Sequence, residues 1–140
     1  MKNQIVRDAV NAIEQIMLKM PQVELPVEHI FAHNVCARVL EIPANRTLSG
    51  AIHKYDNLNF LLKGSMGLVT DDGQVKELHA PTIVVAPAGS KRLASTITDC
   101  TWVTIFGTNE KDPSKIVEDF TAANDQEYLE FCKILQIEET

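Results

Sequence analysis

The apolar positions divide the chain into a helical start, a strand-rich middle and a helical end. From Gln4 to Met20 they recur at intervals of three and four, which predicts an amphipathic helix with one continuous apolar stripe. Pro21 favours the end of this helix, because proline cannot continue the helical hydrogen bonds. An exposed stripe of this length would promote aggregation, so we expect it to pack on the chain's own sheet or against a second subunit.

Between Pro26 and about Phe106, short runs of β-branched and aliphatic residues alternate with Gly, Pro, Asn and Asp. About eight strands at this spacing are typical of a small antiparallel sandwich or barrel. On the last of them Trp102 and Thr104 share a face with Phe106, which we interpret as core packing. The predicted strands are residues 35–42, 48–53, 58–62, 66–70, 75–78, 82–85, 92–95 and 101–106.

Two helix starts follow the strands. Asp112 before Pro113 is typical of a cap and a first helical residue, and Asn124 with Glu127 forms a capping-box pattern. We therefore predict a mainly β chain that forms one domain. Its predicted parts, within residues 1–140, are a helix at 4–20, a barrel at 26–108 and two C-terminal helices at 112–136.

Composition narrows the class of protein. Hydrophobic residues make up 45% of the 140 residues and charged residues 23%, which is ordinary for a soluble globular protein. No apolar stretch is long enough to span a membrane, and a net charge of -6 opposes binding to a nucleic-acid polymer. Cys36, Cys100 and Cys132 form no C-x-x-C pair, so we expect buried thiols. We predict a cytoplasmic protein without membrane or nucleic-acid partners.

The turn residues of the middle segment carry a family resemblance. One stretch runs from Asn45 through His53 to Gly64, and a second runs from Pro87 through Gly89 to Arg92. Both resemble the two sequence motifs of the cupin barrels, and this resemblance covers roughly residues 35–106. The pattern also resembles that of small uncharacterised cupin-like proteins of bacteriophages and bacteria. The resemblance implies a single jelly-roll barrel. Cupins of this size commonly pair as homodimers through an edge strand, so a homodimer is expected.

The resemblance also locates the positions of the cupin metal ligands, which are three histidines and a glutamate. In this chain those positions hold Ala51, His53, Asn57 and Arg92. A guanidinium cannot be deprotonated and repels a divalent ion, so Arg92 argues against a metal there. We therefore predict neither a metal nor another cofactor.

Two further histidines do not restore such a site. His29 and His33 are four residues apart, and on an extended strand this spacing is too long to chelate one ion easily. We interpret both as surface or interface polar residues.

By the parity of the second motif, Arg92 points into the barrel and Lys91 points outward or lies at the rim. A buried arginine needs an anionic partner. That partner is either a ligand or an internal carboxylate such as Asp56 or Glu41. The sequence leaves both alternatives open.

The favoured function is the binding of a small polar or anionic molecule in the barrel, such as a nucleotide or a sugar phosphate. Sequestration is one use of such binding. Inward parity and proximity in sequence give the predicted ligand-binding residues, which are His53, Tyr55, Asn57, Asn59 and Arg92.

Two alternatives remain open. Metal-free epimerases of the cupin superfamily use a histidine base and a tyrosine acid, and His53 and Tyr55 share a face if the chain between them is extended. The chain could also be a structural or assembly protein whose barrel is filled by side chains.

Overall fold

The computed structural model describes residues 2–70 and 72–135, with strands in the middle of the chain and helices at both ends. The mainly β fold class is confirmed. The helices are α1 (Lys2–Met17), α2 (Pro113–Phe120) and α3 (Asp125–Ile134). The strands are β1 (Val27–Ala32), β2 (Val35–Ile42), β3 (Thr47–Ser49), β4 (Ile52–His53), β5 (Asn57–Lys63), β6 (Ser65–Val69), β7 (Val75–His79), β8 (Thr82–Ala86), β9 (Leu93–Thr96), β10 (Cys100–Phe106) and β11 (Thr121–Ala122).

The elements differ from the prediction in a few places. Helix α1 ends at Met17 instead of Met20, because the chain turns before Pro21. Strand β1 was not predicted, and the predicted strand at residues 48–53 is two strands, β3 and β4, which are separated at Gly50. The capping residues lie where they were expected, since Asp112 and Asn124 each accept a hydrogen bond from the first turn of α2 and α3, respectively.

The strands form two main sheets that face each other. The larger sheet has the order β1-β2-β10-β5-β8, the smaller has the order β3-β9-β6-β7, and β4 pairs with β11 in a short third sheet. All of these pairings are antiparallel. This arrangement is that of a jelly-roll barrel, with the inward residues of both main sheets packed around one interior.

One end of this interior is filled by side chains. Buried residues from both sheets pack there into one hydrophobic cluster, in which Leu61 has no exposed surface. Smaller clusters fix the helices, with Ile116 of α2 packed on Phe106 and Tyr128 of α3 packed on Ile52. The three cysteines are buried and free, as predicted. The members of the main cluster are Ile42, Leu61, Met66, Leu68, Leu78 and Cys100.

The motif residues take the backbone conformations that their spacing predicts. Gly64 and Gly89 have φ values of 91° and 83°, and Asn45, which replaces a motif glycine, has a φ of 60°. Side chains would also collide at both glycines: a Cβ on Gly64 would meet the carbonyl of Asp99, and one on Gly89 would lie 2.8 Å from the hydroxyl of Tyr128. Glycine is therefore required at these two turns.

Helix α1 buries a polar stripe, which the sequence pattern did not indicate. Arg7 is fully buried, and its Nη1 donates a hydrogen bond to the carbonyl of Gly89 at 2.7 Å while its Nε bonds to Asp125 at 3.1 Å. On the opposite side, Ile5 and Ile16 are 70% and 64% exposed. Of the apolar stripe, Val10 is buried at 2% exposure, whereas Ile5 and Ile16 stay exposed because Arg7 directs a neighbouring face of the helix inward. A second subunit on this stripe stays a prediction.

Candidate functional site

A cavity of about 570 Å³ lies between the two main sheets, above the filled end of the barrel. Among the described residues, no acidic side chain lines it. Val117 of α2 and Thr121 of β11 also line the cavity. Its other lining residues are Val23, Leu25, Val27, Arg38, Leu40, Ile42, Leu48, Ser49, Gly50, Ala51, His53, Asn59, Met66, Leu68, Ala86, Arg92, Ala94, Trp102, Thr104 and Phe106.

The register of the larger sheet places three polar residues in one row. Thr104 of β10 pairs with Arg38 of β2 on one side and with Asn59 of β5 on the other. The hydroxyl of Thr104 donates to Oδ1 of Asn59 at 2.9 Å, and both residues are buried. Trp102 and Phe106 line the cavity on either side of this row, so the shared face of β10 borders a space instead of solid core.

Arg38 is the cavity residue that the sequence analysis missed. Burial lowers the pKa of its guanidinium below the ordinary value. In the described part of the chain, no side chain or carbonyl forms a hydrogen bond or an ion pair with this guanidinium. One signal was available in the sequence: Arg38 alternates with Cys36, Leu40 and Ile42 along β2, which gives it the inward parity of an apolar row.

His53 is held at the cavity by its backbone. Its amide donates to the carbonyl of Ser90 at 3.1 Å, its carbonyl accepts from the amide of Gly89 at 2.7 Å, and β4 pairs it with Thr121. Burial, together with the positive charge of Arg92, lowers the pKa of His53 to about 4. The imidazole is therefore neutral near neutral pH and can both donate and accept a hydrogen bond.

Arg92 lines the same cavity, at the position that the second motif indicates. Its Nη2 donates to the carbonyl of Val85 at 3.1 Å, which ties the guanidinium to strand β8. The two carboxylates considered as partners bond elsewhere: Asp56 accepts from the amide of Ala88 at 2.9 Å and Glu41 from the hydroxyl of Thr101 at 2.8 Å.

Two predicted site residues do not line the cavity. Tyr55 packs its ring edge-on against Phe120 and Phe131, at centroid distances of 5.9 and 5.3 Å, and is 45% exposed. The chain bends at residues 54 and 55, so the parity of an extended run does not carry over from His53. Asn57 is buried and its Nδ2 donates to the carbonyl of Ile105 at 3.3 Å. The structure thus brings His53, Asn59 and Arg92 together, and adds Arg38.

Lys91 does not lie at an exposed rim. It is only 6% exposed beneath helix α1, where its Nζ donates to Asn11 at 2.6 Å and to Glu14 at 3.0 Å. The hydroxyl of Ser49 and the ammonium of Lys91 hold the pKa of Glu14 below its ordinary value. The polar face of α1 therefore fixes the residue next to Arg92 and, through Arg7, the turn that precedes it.

The residues present do not fit a metal ion. The cupin ligand positions hold Ala51, His53, Asn57 and Arg92, and the charge of Arg92 already acts on His53. Among residues 2–70 and 72–135, no three His, Cys, Asp or Glu side chains are grouped so that they could hold an ion. That the protein works without a metal stays a prediction.

His29 and His33 lie away from the cavity lining. The ring of His29 stacks against Phe31 with centroids 6.3 Å apart, and His33 is exposed in the turn between β1 and β2.

Among residues 2–70 and 72–135, no helix is long and apolar enough to cross a membrane.

Solved structures with the same fold come from several bacteria, whereas no family model and no curated protein matches the chain. A cupin superfamily protein from Desulfitobacterium hafniense has 13% identity and a TM-score of 0.51 over 64% of this chain and 83% of that one. KdgF from Halomonas has 14% identity and a TM-score of 0.54 over 66% and 89%. An acetylacetone dioxygenase from Acinetobacter johnsonii has 16% identity and a TM-score of 0.50 over 62% and 66%.

These similarities agree with the motif turns at Gly64 and Gly89 and with the facing sheets. At such identities they concern the fold, and the neighbours have different functions. A phage relationship and a cytoplasmic location stay predictions. The chain has the cupin fold, and two arginines, Arg38 and Arg92, line its barrel cavity.

Proposed function

We propose that this chain binds a small anionic molecule in its barrel cavity. The observation that carries the proposal concerns the guanidinium of Arg38. It has no partner among the described residues, and no described acidic side chain lines the cavity around it. Burying a charge away from water is unfavourable unless an opposite charge compensates it. An anionic ligand would supply that charge.

The neighbouring residues support the same chemistry. Arg92 adds a second guanidinium to the lining, and the neutral imidazole of His53 can donate a hydrogen bond to an anion. Hydrogen bonds between guanidinium groups and carboxylate or phosphate oxygens are among the stronger ones in proteins. Asn59 would contribute less, because its Oδ1 already accepts from Thr104.

The alternatives of the sequence analysis gain no specific support. A base and acid pair of His53 and Tyr55 needs both groups at one substrate, but Tyr55 is packed between aromatic rings outside the cavity lining. A barrel filled by side chains is at odds with the cavity of about 570 Å³ that the described residues enclose.

The test uses Trp102, which is the only tryptophan in the sequence and lines the cavity. Its fluorescence is followed during titration with AMP, inorganic phosphate, acetate and octanoate. At least one of these anions is expected to change the fluorescence saturably. The Arg38→Met variant is then expected to bind it about ten- to a hundredfold more weakly, because hydrogen bonds to a charged group are lost.

Arg46→Met is the matched control, since Arg46 is exposed and outside the cavity lining. It should bind like the unmodified protein. Equal loss of affinity in both arginine variants would indicate a general charge effect, and the proposal would then be wrong. Binding that Arg38→Met leaves intact would contradict it as well.

We also propose that the chain forms a homodimer through the outer face of the larger sheet, instead of the edge strand expected from the sequence. An antiparallel sheet with one face in water normally alternates apolar and polar residues. Here the outer face exposes apolar side chains on β1, β5 and β8, and a second copy would cover them. These residues are Ile30 (52% exposed), Leu58 (40%), Leu62 (57%), Ile83 (63%) and Val85 (59%).

Light scattering of the purified protein tests this proposal. We expect a dimer that Ile83→Glu converts to a monomer, because a buried charge would then lie in the interface. Ile16→Glu, on the exposed stripe of α1, is the matched comparison and should leave the dimer intact. A monomeric parent protein would refute the proposal. A dimer that only Ile16→Glu disrupts would show that the interface lies on helix α1.

A further inference from the structure

We infer that the ligand of the cavity is an amphipathic organic acid, with one anionic group at Arg38 and a hydrocarbon body in the apolar part of the cavity. This inference rests on the proposed function and adds the chemical class of the ligand. It follows from the order in which the two sheets present polar and apolar residues to the cavity.

On the larger sheet, polar residues occupy a single row. Arg38, Thr104 and Asn59 are aligned across β2, β10 and β5. One step further toward the filled end, the aligned row consists of Leu40, Trp102 and Leu61.

The smaller sheet repeats this division. Leu48, Ala94 and Leu68 are aligned across β3, β9 and β6, and all three line the cavity. Arg92 lies two residues before Ala94, where its carbonyl accepts a hydrogen bond from the amide of Gly50 at 2.9 Å. Both guanidinium groups thus come from the half of the barrel nearer to α2, and the described lining of the other half is apolar.

The single polar row beside an apolar lining favours some classes of anion over others. A sugar phosphate or a nucleotide carries hydroxyl groups and ring nitrogens, which would lose their hydrogen bonds to water beside Leu40, Leu48 and Leu68. Thr104 and Asn59 already bond to each other and offer few further partners. A hydrocarbon body gains free energy from burial at the same place, while a single carboxylate satisfies Arg38.

The strand geometry sets the length of the hydrocarbon body. Cavity-lining residues on β2 extend from Arg38 through Leu40 to Ile42. The four residue steps from Arg38 to Ile42 span about 13 Å of an antiparallel strand, which accommodates a chain of roughly six to eight carbons. An aliphatic or aromatic acid of this size matches the cavity volume of about 570 Å³.

The inference is tested with straight-chain carboxylates from acetate to octanoate, titrated against Trp102 fluorescence. Each added methylene should strengthen binding by about fourfold until the apolar part of the cavity is full. Octanol has the same chain without the charge, so its affinity should be lower than that of octanoate by a factor of about ten or more. Equal affinity for acetate and octanoate, or for octanoate and octanol, would overturn the inference.

A cavity-filling variant locates the hydrocarbon chain. Ala94→Leu adds bulk beside Leu48 and Leu68, so the gain in affinity with chain length should stop at a shorter carboxylate. Leu48→Phe fills the same region from β3 and keeps the test available if Ala94→Leu does not fold. An unchanged preference for octanoate in both variants would place the hydrocarbon chain outside the barrel.

The two proposals fail in distinguishable ways. If AMP or inorganic phosphate binds in an Arg38-dependent manner and octanoate does not, the anion-binding function stands and the inferred ligand class is wrong. If Arg38→Met changes the affinity for none of the anions, both proposals are wrong.

Discussion

The two ends of the barrel interior share several strands but carry different types of side chain. Toward one end, Leu61 and Met66 from opposite sheets meet in a cluster with almost no exposed surface. Toward the other end, Arg38 of β2, His53 of β4 and Arg92, which directly precedes β9, line a cavity. The inward parity is continuous along β2, so only the residue types differ between the filled end and the hollow end.

The filled end stabilises the fold, whereas the hollow end provides the proposed binding site. Apolar side chains packed at native density stabilise the folded state, whereas the partly buried guanidinium of Arg38, without a described partner, lowers its stability. Residues that lower stability persist where activity needs them. We therefore assign the proposed binding function to the hollow end.

The largest effect is expected at the filled end. Leu61→Ala should lower the free energy of unfolding by about 2 to 5 kcal/mol, because it leaves a cavity where no surface is exposed. Val75→Ala, on β7 and 73% exposed outside the proposed dimer interface, should change it by about 0.5 kcal/mol or less. Urea unfolding measures both. Similar losses in the two variants would show that the filled end is not the main source of stability.

An intermediate effect is expected from acid. The pKa of His53 in the folded chain, about 4, lies below its ordinary value of 6.5. The unfolded chain therefore takes up the proton first, so the stability that depends on neutral His53 is complete above pH 6.5 and is lost as the pH falls toward 4. The loss should reach at most about 3 kcal/mol.

Urea unfolding across this pH range should show a weaker dependence in His53→Gln, which does not titrate. His79→Gln is the control, because the side chain of His79 is 66% exposed. If both variants keep the full pH dependence, the acid sensitivity arises elsewhere in the chain.

The smallest effect has the opposite sign. Arg38→Met should raise the free energy of unfolding of the ligand-free protein by about 1 kcal/mol, because an apolar side chain of similar length replaces a partly buried charge. The same variant should lose affinity for the anion. A clear loss of stability in Arg38→Met would instead show that Arg38 holds the fold together, and the contrast between the two ends would not hold.

The local parts of the fold could be predicted from the sequence. Strand β2 has the predicted bounds of residues 35–42, and the turns at Asn45, Gly64 and Gly89 follow from residue types that tolerate positive φ. Strand β1 was missed because the polar residues Glu28 and His29 interrupt its apolar pattern. Two-residue strands such as β4 and β11 have no sequence pattern and exist only through their pairing.

The parts that failed depend on contacts between distant residues. Nothing near Arg7 in sequence shows that its partners are Gly89 and Asp125, so the buried face of α1 could not be derived from periodicity. Tyr55 was misplaced because two bends follow His53, and parity applies only within an uninterrupted strand. The inward direction of Arg38, in contrast, could have been inferred from its alternation with Leu40 and Ile42.

The most direct test of the anion-binding cavity is a crystal structure of the protein with octanoate. We expect its carboxylate within hydrogen-bonding distance of the guanidinium of Arg38, near His53 and Arg92, with the hydrocarbon chain beside Trp102 and Leu68. Octanoate bound only outside the barrel, or Arg38 turned away from an empty cavity, would contradict the account.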